Sequence, residues 1–277
     1  MWQARDGALW QSLLDEGTRT LRRFPVPMAC AAGFVYLGLV QIHDIWWIDS
    51  DLLTHWMASL VLGLFASLAA GLFAEHRRWP RAAEHGLAVL AVAAVAVIVF
   101  YGGPRQSGDE ADVIRLAMLG GALVLLVTTA PFLGRRGVDD GFWEFNRAAW
   151  LGAAFGLLCA LLLGAGVSAV FFGIETLFGL SVPGELYGDI WLIAHGLAWP
   201  WITLAMAPEA LAEEPPEGGP RWIRFLASTL LVPLVSAYMA ILYAYGLLIL
   251  FTWDLPRGNV ASVVCGFAAV GAIAHLV

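Results

Sequence analysis

His43, Asp44, Asp49, Asp51 and His55 fall within thirteen residues, "HDIWWIDSDLLTH", and Glu175, Asp189 and His195 follow later between apolar runs. Imidazole and carboxylate are the ligand types that hold zinc or manganese. The same groups, placed inside a bilayer, can pass protons or line a solute path. These eight residues form the candidate polar cluster, with any metal unknown and no catalytic residue assigned. A plainer reading stands beside it. Trp46, Trp47 and Trp56 surround the first five residues, and polar side chains beside an aromatic belt meet headgroups and water. His195 lies six residues beyond Asp189 in "YGDIWLIAHGLAWPW", about 9 Å further along a helix. Six residues turn a helix well past one revolution, so the two side chains leave different faces and are not a pair on one helix.

Other chemistry is excluded by what the chain lacks. All fifteen basic residues are arginine, which leaves no amine for a Schiff base or a phosphate-binding lysine. HExxH, GxSxG, P-loop and GxGxxG patterns are absent. Cys30, Cys159 and Cys265 sit in separate apolar runs without metal spacing. A net charge of −7 offers no basic footprint for nucleic acid. No cofactor is expected.

The elements that must position the polar residues are apolar helices. The 277 residues are 60% hydrophobic and 13% charged, with mean hydropathy +0.76. Soluble domains run near half apolar and a quarter charged. Eight runs approach the roughly 20 residues that a bilayer requires: 26–43, 52–74, 84–101, 113–133, 148–174, 187–207, 225–252 and 259–277. Backbone in lipid must bond to itself, so these runs predict helices. The expected fold is all-α, a polytopic membrane helix bundle of about eight transmembrane helices. Arginine placement predicts its orientation. Twelve arginines fall in the N-terminal tail and the connections after spans two, four and six, against three (Arg105, Arg115 and Arg257) on the other side. The N-terminus is therefore expected in the cytoplasm, and the polar cluster on the outer side.

Residues 1–25 read as a cytoplasmic amphipathic tail, with Trp2, Leu9, Trp10, Leu13, Leu14 and Leu21 at helical spacing between arginines. Residues 26–277 read as the bundle, interrupted by a flexible acidic, proline-rich loop at 208–220. Span five carries Gly152, Gly156, Ala160, Gly164 and Ser168 four residues apart, a stripe that lets helix backbones approach closely. Gly63, Ser67 and Gly71 repeat it in span two. Pro233 predicts a kink in span seven.

Three stretches resemble the bacterial domain-of-unknown-function 4153 family: "GFWEFNRAAW" (141–150), "ETLFGLSVPGELYGDIWLIAHGLAWPWITLAMAP" (175–208), and 230–276 with its Trp-x-Leu-Pro-x-Gly turn. In that turn Trp253 would anchor a helix end, while Pro256 and Gly258 make the tight reversal between antiparallel helices. The first stretch reads as an interfacial anchor, with Phe142, Trp143 and Phe145 at the boundary and Glu144 and Arg147 facing headgroups. The resemblance, mainly over 141–276, implies a multi-pass protein of the bacterial inner membrane with no catalytic residues to carry over. It also implies further helices beyond "GAIAHLV", so the chain reads as truncated.

Three functions follow as expectations. The first is a permease-like or transport-associated protein with an outward polar vestibule, which needs Glu175, Asp189 and His195 to face a water-filled interior. The second is a non-catalytic membrane partner or sensor, with polar groups only at the rim. The third is an enzyme for lipid-linked substrates at the outer face, which needs carboxylates and histidines in contact. The expected partners are the lipid bilayer, a possible membrane protein partner or the missing C-terminal helices, and no nucleic acid.

Overall fold

The computed structural model describes residues 17–45, 49–102, 110–134 and 139–208, with scattered positions between 233 and 247. Spans seven and eight and the Trp253–Gly258 turn lie essentially outside the described residues, as do most of the tail and the loop at 208–220. All regular structure among the described residues is helical: α1 (Pro25–Ile42), α2 (Ser50–His76), α3 (Arg81–Gly102), α4 (Glu110–Thr129), α5 (Asp139–Phe178), α6 (Gly184–Ile193) and α7 (Trp199–Ala205). A 3-10 turn, Ala130–Phe132, follows α4, and a π-helical segment, Ala194–Ala198, joins α6 to α7. Five of these segments are long and apolar enough to cross a membrane: Pro25–Ile42, Ser50–His76, Arg81–Tyr101, Val113–Phe132 and Gly141–Phe178.

Helix limits follow local chemistry. Pro25 opens α1 in the first turn, where its missing N–H costs nothing. Asp49 caps α2, accepting from the Asp51 N–H at 3.3 Å. Pro131 stops α4, since it cannot donate the next helical bond, and the chain tightens into the 3-10 turn. Gly134 at φ 77 then reverses direction, a conformation that L side chains rarely adopt. Its Cα also faces Arg77, where an added Cβ would lie 2.7 Å from Nη2.

The chain divides into two compact units, one formed by Met1–Gly156 with His195–Glu213 and the other by Leu157–Ala194 with Glu214–Val277. In the first unit α2 is central and packs against α1, α3, α4 and the 3-10 turn. One core cluster joins Phe24, Met28, Leu68, Leu72, Phe145 and Leu204. Another joins Leu62, Ala66, Val95, Val99 and Leu123. Small residues make these approaches possible. A Cβ on Gly63 would lie 3.2 Å from Val92 of α3 and 3.7 Å from Cys30 Sγ of α1. The outward side chains of α4, including Val113, Ile114, Met118 and Leu125, are exposed and apolar, as lipid-facing positions require.

α5 begins nine residues before the apolar run that starts at 148. Glu144 and Arg147 are exposed, as are Phe142 and Trp143, whereas Phe145 is 3% exposed and belongs to the core. The aromatic run therefore splits by helical face. Phe145 meets Phe132 edge-on at 5.7 Å, and Asn146 donates to Phe142 O at 2.9 Å and to Thr128 O at 3.3 Å.

Candidate functional site

The eight polar residues singled out by the sequence divide between the two units. In the first unit, His43, Asp44, Asp49, Asp51 and His55 stand where α1 ends and α2 begins, and four have visible local duties. Asp44 takes φ 50 just past α1, and the following Ile45 N–H returns to Val40 O at 3.2 Å. This is a left-handed helix stop of the kind that aspartate tolerates better than most residues. Asp49 caps α2, and Asp51 lies in the first turn, where a carboxylate suits the positive end of the helix. His55 Nδ1 is hydrogen-bonded to Asp51 O, and its ring stacks on Phe100 at 5.5 Å. Trp56 meets the same Phe100 edge-on at 5.0 Å. His43 is the exposed C-cap of α1.

His195, also in the first unit, is half-buried in the π segment. The wider turn has a readable cause. Pro200 cannot donate to residue 196, and its ring crowds that carbonyl in a regular α-helix; a π turn relieves the clash. Gly196 is buried beside His195 and lies against α1, where a Cβ would come within 2.6 Å of Val35.

In the second unit, Glu175 is exposed near the end of α5 and accepts from the Tyr187 hydroxyl at 3.3 Å. Asp189 is half-buried on α6. Among the described residues, no three histidine, cysteine, aspartate or glutamate side chains converge as metal ligands.

The glycine stripe of α5 also divides. In the first unit, an added Cβ on Gly152 would lie 3.1 Å from Met206, and one on Gly156 would lie 2.7 Å from Thr203 Oγ1 and 3.2 Å from Trp199 O. The Trp199 indole donates to Ala153 O at 3.0 Å across the same contact. In the second unit, Ala160 is fully buried, and a Cβ on Gly164 would lie 3.2 Å from the Trp191 ring. Ser168 Oγ is buried without a hydrogen-bond partner among the described residues.

The most connected charged group is one the sequence suggests only as part of an arginine tally. Arg23 forks onto Glu75, with Nε to Oε1 at 3.0 Å and Nη2 to Oε2 at 3.2 Å. Its remaining donors reach Ala207 O at 2.8 Å and Pro208 O at 2.7 Å. The guanidinium also lies 4.7 Å from the Phe24 ring centre. One side chain thus joins the segment before α1, the last turn of α2 and the carbonyls beyond α7. A pocket with room for about one water lies beside it, lined in part by Arg23, Ser67, Glu84 and His85. Glu84 is 8% exposed. This arrangement ties elements together; it is too small to admit a solute.

No protein-family model, curated protein or solved structure matches the chain.

Proposed function

We propose that this chain is a non-catalytic partner or sensor protein of the bacterial inner membrane, with eight spans and a cytoplasmic N-terminus. The supporting observation is the use of the polar residues at 43–55. They cap helices and hold rings at an exposed helix junction. The arginine distribution supports the orientation. The resemblance to the domain-of-unknown-function 4153 family supports the setting, and the eight apolar runs support the number of spans.

A transport role remains the second reading, favoured by His195, half-buried in a π segment. Such segments recur at functional positions.

Substituted-cysteine labelling separates the two. Single cysteines at His43, Asp49, Asp189 and His195 are introduced after the native cysteines are replaced. A membrane-impermeant maleimide is then added to intact cells. The partner reading expects labelling at 43 and 49 and protection at 195. Strong labelling at 195 points to a water path and sinks that reading. Labelling at 43 and 49 only after the inner face is opened reverses the orientation.

A further inference from the structure

The connection from α2 to α3 consists of Arg77, Arg78, Trp79 and Pro80, and Arg81 opens α3; all five are exposed. α2 ends in a complete Schellman arrangement. The Trp79 N–H donates to Ala74 O at 3.1 Å, and the Arg78 N–H donates to Glu75 O at 2.9 Å. The Trp79 ring meets Phe73 edge-on at 6.1 Å, supplying the apolar contact that accompanies the two bonds. The left-handed position of this motif is most often glycine. Here it is Arg78, at φ 57.

The three arginines are not equivalent. Arg77 donates to Leu133 O at 2.7 Å and lies 4.4 Å from the Phe73 ring centre. Among the described residues, the guanidinium groups of Arg78 and Arg81 make no hydrogen bond or salt bridge. Of the nearby carboxylates, Glu75 is held by Arg23, and Glu84, which lies within the field of Arg81, is buried and makes no salt bridge with it. The result is an indole flanked by two exposed guanidinium groups that keep their hydrogen-bond donors unused among the described residues. It sits at the polar end of two helices that are each long and apolar enough to cross a membrane.

We propose that Arg78 and Arg81, with Trp79 between them, bind the phosphate of an anionic phospholipid headgroup. A guanidinium fork matches phosphate oxygens. Tryptophan settles at headgroup depth, and the flanking apolar helices would meet the acyl chains of the same lipid. Free phosphate would use the arginines alone and gain nothing from the indole or the helices. Neither the orientation nor the partner reading is needed for this assignment.

The test uses the full chain, purified in neutral detergent and titrated with phosphatidylglycerol, phosphatidylcholine or inorganic phosphate. Lipid retention is read by native mass spectrometry, together with the shift in thermal unfolding. The expected result is a preference for phosphatidylglycerol over phosphatidylcholine. The pair Arg78→Gln and Arg81→Gln weakens it by roughly fivefold per arginine, about 25-fold together. An equal removal of charge at exposed positions, Arg22→Gln with Arg147→Gln, should change it much less. Arg78→Gly is a second variant that suits the left-handed position, so weakened binding in a protein that still folds cannot be blamed on the turn. Equal preference in all variants overturns the proposal. An equal shift from inorganic phosphate overturns the lipid as the occupant.

Discussion

Arg23 and Glu75 are 52 residues apart in the chain and meet through two nitrogen–oxygen contacts of 3.0 and 3.2 Å. The pair is largely shielded, with side-chain exposures of 14% and 29%. Removing one partner of such a pair strands the other's charge, which costs more than the pair's net worth. Residual exposure lowers the cost here. Glu75→Gln should destabilise the protein by about 2 kcal/mol. Arg23→Ala should cost more, because Ala207 O and Pro208 O also lose their donor. A double-mutant cycle in detergent, read by thermal unfolding, should return a coupling on the order of 1 kcal/mol. Additive effects would mean that the two side chains act independently.

Glycines at different places should respond in opposite directions to the same added methyl. Gly156→Ala would place its Cβ 2.7 Å from Thr203 Oγ1 and 3.2 Å from the Trp199 carbonyl. The hydroxyl can rotate away, but the backbone oxygen cannot, so a loss of about 1–3 kcal/mol is expected. Gly121→Ala on α4 meets nothing within 4 Å. There the gain in helix preference should stabilise by about 0.5–1 kcal/mol. Thermal unfolding of the two variants side by side checks the contrast.

Asp49→Ala tests whether the polar residues at 43–55 are mainly helix caps. Loss of the bond to the Asp51 N–H should cost about 1 kcal/mol. Asp49→Ser should restore most of it, since a hydroxyl also caps. A ligand role would give the opposite ranking: serine would fail with alanine in any binding or transport readout, while stability stayed unchanged.

The apolar helices were readable because lipid leaves the backbone no other partner, so long runs without charge can only coil. Their contacts were less so. Arg23 belonged to an orientation count, and nothing local joins it to a glutamate 52 residues on. Phe145 stood among four interfacial-looking neighbours, and only helical phase separates it from Trp143. Asp44, Asp49 and His55 were visible as polar groups near a helix junction, yet carboxylates that cap and carboxylates that bind look alike in a sequence. Some local signals were nevertheless present. Pro200 in the middle of an apolar run foreshadows the π segment five residues earlier. The succession Phe73, Ala74, Glu75, Arg78 and Trp79 has the spacing of a Schellman stop without its glycine. That missing glycine hides the motif from any reading that searches for one.

Arg78 offers the sharpest trade between stability and binding. Its φ of 57 puts a side-chain-bearing residue in a region that costs L-amino acids about 1–2 kcal/mol, while glycine enters it freely. The two backbone bonds of the helix stop, from Trp79 and Arg78 to Ala74 and Glu75, do not involve the arginine side chain. Arg78→Gly should therefore keep the stop and raise stability by about 1 kcal/mol in neutral detergent or phosphatidylcholine. In membranes containing phosphatidylglycerol the gain should shrink or reverse, because the wild-type guanidinium then contributes about 1 kcal/mol of its own. Thermal unfolding in the two lipid compositions gives a dependence on phosphatidylglycerol that neither a packing defect nor a uniformly better helix end can produce. A glycine variant that is equally stabilised in both would leave Arg78 as a strained turn residue without a ligand.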